Sequence, residues 1–454
     1  MTSVLKIGGS ILSSHDDFEK IVLMLKGRKN ERIVIVVSAL KGVTDLLIDS
    51  LKNAELQNDY SIKFNEVRQK HYSALSQIRP ELQEQTKKRL DRKLAEIESL
   101  LEKAKESKSP SSPKLRDLVE TFGERLSAML VAEMLGSNGI KAKAFESQDI
   151  GMLTDGNYGK ARPLRNEIKK TLPAKINAGN GVIPVITGFY GADIKGNITS
   201  FGRGGSDYSA ALIAEALEAE SLELWKDVDG FLSADPKLAK NAVLVKTLSY
   251  DEAEELGVFG AKIIHPKTVN PLRSSNAVLK IKNISKPHAE GTIVGPESAN
   301  ASAVLSIAFK KEICLITVRS PELLESGTAA KLFNAVSNAG VNIDLISTSE
   351  TGISISAKRQ DCRKAVSALK SSLDEEEVIF EEKVSLISVI GKGMREKPKI
   401  AGKIFSILGD NEVNIKAISQ NAFENNISFV VEEKDLEKSV LCLHSEFFEK
   451  GEFN

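Results

Sequence analysis

Ile33-Val-Ile-Val-Val37, inside Arg32-Ile-Val-Ile-Val-Val-Ser38, is an apolar run with no polar residue alternating through it. A strand wetted on one face alternates; a strand covered on both faces does not. The run therefore reads as a central strand of a parallel sheet. Further strand patterns lie at Val4–Ile7, Lys141–Phe145, Gly181–Thr187 (GVIPVIT), Glu220–Trp225 and Leu279–Asn283. Between them, helical spacing predicts helices at Asp16–Lys26, Asp45–Leu56, Lys114–Leu135, Ser209–Ala219, Ser249–Phe259 and Lys267–Ser274. Strands alternating with helices over residues 1–297 predict an α/β fold, a mostly parallel sheet sandwiched by helices.

Residues 58–113 have another texture. They are rich in Lys, Glu, Gln and Leu, with Pro80 between two amphipathic stretches, and end in Ser107–Pro113 (SKSPSSP). No heptad is sustained across Pro80, so a helical hairpin inserted in the first domain, followed by a linker, is expected rather than a free coiled coil.

Beyond Gly295 the pattern changes again. Phe333-Asn-Ala-Val-Ser-Asn-Ala-Gly-Val-Asn-Ile-Asp-Leu-Ile-Ser lines up with Phe405-Ser-Ile-Leu-Gly-Asp-Asn-Glu-Val-Asn-Ile-Lys-Ala-Ile-Ser, about 72 residues later. This is an internal duplication of a strand-helix-strand-strand-helix-strand unit. It predicts two ferredoxin-like α+β domains, at 303–382 and 383–454. The second copy ends before its fourth strand, while Ala303–Phe309 is a strand with no place in the first. The expectation is that 303–309 completes the second sheet.

Composition narrows the function. Lys+Arg and Asp+Glu are both 62 in 454 residues, which argues against nucleic acid or a membrane surface as a main partner. Aromatics are 5%, too few for a base-stacking platform. No apolar run is long enough to span a membrane, and the N-terminus lacks a signal-peptide pattern. Three scattered cysteines and five dispersed histidines indicate neither a disulfide framework nor a metal site. A cytoplasmic enzyme is expected.

Two glycine loops carry the chemistry. Lys6-Ile-Gly-Gly-Ser10 follows the first strand, and Thr199-Ser-Phe-Gly-Arg-Gly-Gly-Ser-Asp207 runs into an Ala/Leu-rich helix. Each can present backbone N–H groups to an anion. The first is neither a Walker A loop nor a dinucleotide fingerprint. Ser206 or Asp207 can cap the helix that follows. Alternatively, Asp207 sits between the loops and holds Lys6 charged. Trp225-Lys-Asp-Val-Asp-Gly230 is either a plain turn or a nucleotide contact, and Lys262 is either a solvated lysine or a phosphate partner. Phosphoryl transfer needs alignment, cations and Mg²⁺ more than covalent help. A carboxylate acceptor needs no general base, and the glycine loops contain no histidine.

Together these motifs resemble the aspartate kinases of the amino-acid kinase family. The resemblance rests on Lys6-Ile-Gly-Gly-Ser, Ser38-Ala-Leu-Lys-Gly-Val-Thr44, Phe122-Gly-Glu124-Arg, Gly202-Arg-Gly-Gly-Ser-Asp207 and Phe259-Gly-Ala-Lys262-Ile-Ile-His-Pro. It implies ATP-dependent phosphorylation of the L-aspartate β-carboxylate, the entry to lysine, threonine, methionine and diaminopimelate. By it, Lys6, Asp207 and Lys262 are catalytic, and Gly8, Gly9 and Ser10 lie with Lys6 on the phosphates. Lys226, Asp227, Leu232, Lys237, Lys262 and Ile263 lie on the nucleotide side. Ser38, Thr44, Glu124, Arg203, Gly204 and Ser206 lie along the substrate, with Arg203 on its α-carboxylate and Glu124 on its α-ammonium. Glu124 also reads as an ordinary charged helix position. The chain departs from the family at Lys226 (usually threonine), Leu232 (often tyrosine) and Lys237 (often arginine), all on the nucleotide side.

The duplicated tail resembles paired ACT domains. Asp344, Ser349 and Glu350 resemble the lysine-responsive version, with threonine the other candidate effector. Pairing of ACT sheets implies a homodimer or a dimer of dimers. Nothing after residue 454 supplies a homoserine dehydrogenase, so a monofunctional enzyme is expected. The competing expectations are a related kinase with another acceptor, and a catalytically dead amino-acid sensor.

Overall fold

The computed structural model describes residues 2–28, 31–107, 110–176, 181–259, 263–298, 302–319, 327–373, 377–392, 394, 397–421 and 425–450. The chain divides into two compact units. The first holds residues 1–230, 246–250 and 264–298, and the second 231–245, 251–263 and 299–454.

The first unit is built on an eight-stranded sheet. Its strands are β1 (Thr2–Ile7), β2 (Arg32–Val37), β3 (Ala142–Phe145), β4 (Ile183–Thr187), β7 (Ser221–Lys226), β8 (Thr247–Ser249), β9 (Val278–Asn283) and β10 (Thr292–Gly295). A separate hairpin pairs β5 (Tyr190–Ala192) with β6 (Ile198–Ser200). The sheet order is β3-β4-β2-β1-β7-β9-β10-β8, parallel except for β9 against β10. Residues Ile33–Val37 are all buried, in the middle of the sheet, as an apolar run without alternation requires. Short β8 and β10 were not expected. With three and four residues, they leave too little sequence for a period-2 pattern to register.

Helices cover the sheet: α1 (Gly9–Leu12), α2 (His15–Lys26), α3 (Val43–Glu55), α6 (Pro113–Glu120), α7 (Phe122–Ser137), α8 (Arg165–Lys175), α9 (Gly205–Ala216) and α11 (Val269–Ser275). Where one helix was expected over Lys114–Leu135, two are found, meeting at Thr121, whose hydroxyl bonds back to the Leu118 carbonyl. Such back-bonding competes with the helix and bends it. The insertion is a hairpin of α4 (Ser61–Leu75) and α5 (Pro80–Ser107). Leu90, Leu94, Ile97 and Leu101, spaced by three and four, bury one face of α5 in the same core as β2 and α7.

The second unit contains a six-stranded antiparallel sheet, in the order β12-β13-β11-β14-β16-β15. Its strands are β11 (Ser306–Arg319), β12 (Leu345–Ser349), β13 (Gly352–Lys358), β14 (Glu377–Ile390), β15 (Ile415–Ser419) and β16 (Asn426–Glu432). Its helices are α10 (Tyr250–Phe259, beginning on a residue of the first unit), α12 (Thr328–Asn338), α13 (Cys362–Ser372), α14 (Ile400–Asp410) and α15 (Leu436–His444). Both central strands are fourteen residues long and serve two copies. Residues 313–319 of β11 pair with β13 in the first copy, while 306–310 pair with 386–390 beside the second copy's β16. The handover falls at a register shift near Glu312, which has φ 55°. The segment 231–245 also belongs here. Ile307 N–H donates to the Ser233 carbonyl, and the Ser233 hydroxyl meets His444 Nε2 at 2.9 Å.

Candidate active site

Lys6, at the end of β1, is 6% exposed. Its Nζ lies 2.7 Å from Asp207 Oδ1 in the first turn of α9, and Lys226 Nζ, at the end of β7, lies 2.9 Å from Oδ2. One buried carboxylate thus joins two ammonium groups across adjacent parallel strands. Burial pushes the Asp207 pKa up, but Lys226 and Lys6 outweigh it and hold the carboxyl well below the usual range. Burial lowers the Lys6 pKa, with the Asp207 charge opposing it and Lys226 adding to it.

The expectation that Ser206 or Asp207 caps α9 is overturned. The cap position is Gly204, with φ 75°, and both side chains lie inside the first turn without a capping bond. Left-handed Gly204 starts the helix earlier than Ser209, which turns Asp207 inward onto the lysines. Lys262, the expected second lysine, lies outside the described residues; Lys226 takes the second oxygen of Asp207.

The other glycine turn is equally constrained. Gly8 precedes α1 and its N–H donates to the Trp225 carbonyl, tying the turn to β7. A Cβ on Gly9 would stand 2.1 Å from the Ala39 carbonyl oxygen, so only glycine fits there. Half-buried Ser10 follows within α1.

Glu124 lies in the first turn of α7 and is 3% exposed. Its Oε1 accepts the Ala39 N–H at 3.1 Å; Oε2 has no hydrogen-bond partner among the described residues. Burial pushes its pKa up to about 8, opposed by the Ala39 N–H, the Lys6 charge and Ser206. A carboxyl so placed is suited to receive a cation. Ser38 sits half-buried just past β2, its N–H donating to the Ile7 carbonyl. Thr44 lies one residue before the helix expected at Asp45–Leu56. It is the second residue of α3, because Gly42 in the left-handed region (φ 79°) begins that helix early.

Arg203 is exposed and no described residue pairs with its guanidinium. The arm leading to it is held by Asp117, a residue that sequence reasoning missed. Its buried carboxylate accepts from the Gly159 N–H, the Ser200 N–H and the Ser200 hydroxyl at 2.8, 2.8 and 3.0 Å. A single aspartate in a helix carries no sequence signal of such partners. The glycine loops contain no histidine, but His265 packs against Gly204. Burial and Lys267 lower its pKa, and its Nδ1 accepts the Lys267 N–H, so it braces the turn as a neutral ring.

Asp227 is exposed beyond β7. Leu232, Lys237 and Ile263 belong to the second unit. There Leu232 bridges to Leu244, and Lys237 is exposed with its N–H on Asp235. Asp344, Ser349 and Glu350 lie in the same unit. Asp344 Oδ1 is 2.7 Å from Lys310 Nζ, Ser349 is exposed at the end of β12, and Glu350 is exposed in the turn after it. Among the described residues there is no cluster of metal-ligating side chains, and no helix is long and apolar enough to cross a membrane.

Residues 1–283 match the amino acid kinase family, and residues 324–373 and 387–447 match the ACT domain. The chain is 32% identical to the chloroplastic aspartokinase 2 of Arabidopsis thaliana, across 99% of this chain and 85% of that one. It is 30% identical to the lysine-sensitive aspartokinase 3 of Escherichia coli, across 98% and 99%. The crystal structure of E. coli aspartokinase III with aspartate and ADP aligns at TM-score 0.85 and 28% identity, over 99% of this chain and 100% of that one. The complex of the same enzyme with lysine and aspartate aligns at 0.81 and 27%, over 98% and 99%.

Proposed function

Because the chain belongs to the aspartokinases of the amino acid kinase family, we propose that it phosphorylates the β-carboxylate of L-aspartate with ATP, releasing ADP. The buried Lys6–Asp207–Lys226 cluster supports this most directly. Two ammonium groups fixed by one carboxylate offer preorganised positive charge to a phosphoryl group in transfer. The β-carboxylate attacks as an anion, so no base is required. Arg203 supplies a free fork for the substrate α-carboxylate, and Glu124 a buried acceptor for its ammonium. Gly8, Gly9 and Ser10 would line the phosphates. Mg²⁺ would arrive with ATP, held chiefly by phosphate oxygens. Both oxygens of Asp207 are committed to lysines, so exposed Asp227 is the better placed carboxylate for that ion.

Feedback through the ACT region is part of the same reading, with lysine the leading effector. Asp344 is already paired with Lys310, so an effector ammonium would take the place of that lysine. The test is acyl-hydroxamate trapping with ATP and a panel of carboxylates, repeated with lysine and with threonine. Product with aspartate alone supports the reading. Product only with another acceptor, or none, rejects it.

A further inference from the structure

The helical hairpin at 61–107 lies outside the machinery described above, yet it reaches toward it. Lys93, on α5, places Nζ 2.6 Å from Glu146 Oε1. The other oxygen of Glu146 accepts Arg125 Nε at 2.6 Å and Gln148 Nε2 at 2.7 Å. Arg125 is the residue after Glu124. We propose that Lys93 is a positioning residue for the acceptor site, acting through Glu146 and Arg125 on the Glu124 carboxylate.

Glu146 is a fixed anchor. It follows β3 directly, and the next residue, Ser147, is clamped to Thr187 of β4. The Ser147 N–H donates to Thr187 Oγ1 at 2.8 Å and the Ser147 hydroxyl to the Thr187 carbonyl at 2.5 Å. The anchor is also anionic. Burial raises the Glu146 pKa, but Arg125 and Lys93 outweigh it and hold the carboxyl below its usual range.

The anchor acts on the first turn of α7. Adjacent helix residues point about 100° apart. Arg125 therefore reaches Glu146, its guanidinium over the Phe122 ring at 4.3 Å, while Glu124 reaches the Ala39 N–H. Just before them Gly123 packs so closely on Ala39 that a Cβ would come within 2.6 Å of the Ala39 Cβ. That turn has little freedom except rotation about its axis, and the Arg125–Glu146 pair opposes rotation. Lys93 lies 23% exposed, offsets the charge on Glu146 and fixes its rotamer. Arg89 of the same helix pairs with Glu133 further along α7, so the two helices are joined directly there and, through Glu146, at Arg125.

This rests on the assignment of Glu124 to the acceptor ammonium. The test compares wild type, Lys93→Met, Lys93→Arg, Glu146→Gln and the Lys93→Met, Glu146→Gln double variant in steady-state kinetics, with thermal unfolding of each. Lys93→Met is expected to raise KM for aspartate roughly fivefold, leaving kcat and KM for ATP within about twofold. Lys93→Arg should restore KM, and Lys93→Met should add little to Glu146→Gln, because both act on one pair. Unchanged KM in Lys93→Met, in an enzyme whose wild type is aspartate-dependent, overturns this inference alone. So does a parallel loss of kcat and both affinities with a lower Tm, which marks a merely structural lysine. A wild type without aspartate-dependent product removes the assigned function, and this inference with it.

Discussion

At the residue scale, the site is governed by burial acting on charge. Glu124 holds its proton because it is buried, with a pKa near 8 against an ordinary 4.5. On the proposed assignment an incoming ammonium needs the carboxylate, so aspartate binding would expel that proton and tighten with rising pH. KM for aspartate should fall as pH rises from about 6 to 8 and level off above. Initial-rate measurements across that range check it, and Glu124→Gln should weaken binding and flatten the profile. The same raised pKa has an opposite sign for the empty protein. Stability from the neutral form is full below about 4.5 and is lost as pH rises through about 8. Lys6 gives a second case. Its pKa is already lowered by burial, and Asp207 opposes that fall. Asp207→Asn should shift the alkaline limb of kcat to lower pH and reduce kcat by about two orders of magnitude. A pH–rate profile with an unmoved limb would refute the role of Asp207 as the group that keeps Lys6 charged.

At the element scale, the insertion is a strut rather than an appendage, since α5 shares the core with β2 and α7. Its partner α4 carries His71, fully buried, with Nδ1 on the Val67 carbonyl. Burial lowers its pKa to about 4 from 6.5, with the Val67 bond opposing. A buried neutral histidine stabilises the hairpin fully above about 6.5, and that contribution is lost as pH falls toward 4. Hydrogen exchange in 61–75 should therefore quicken through this window in wild type and respond much less in His71→Gln.

At the scale of the whole molecule, the two ACT copies of the second unit share their central strands. Ile313, Leu315 and Leu345 of the first copy pack with Val384, Leu386, Ala417 and Val430 of the second in one small core. Leu386 is fully buried there. Leu386→Ala should cost about 2–5 kcal/mol and speed hydrogen exchange together in 313–319 and 384–390. Loss of protection in 384–390 alone would show that the copies open independently.

Sequence alone settled the patterns that are local. Ile33–Val37 without alternation means a strand covered on both faces, the break in spacing at Pro80 marks a hairpin, and the repeat at Phe333 and Phe405 marks two copies. Glycine loops beside Lys6 and Asp207 pointed to the candidate site, because short-range turn chemistry demands those residues. What tertiary structure decided is which distant side chains meet. The second lysine on Asp207 is Lys226, brought there by β7 lying beside β1. Asp117 fastens the Arg203 arm, Lys93 meets Glu146 from a helix some fifty residues away, and β11 serves two copies across two register shifts. No periodicity records such meetings. They depend on crossover connections and register, and the burial they create raises the Glu124 pKa and lowers that of Lys6.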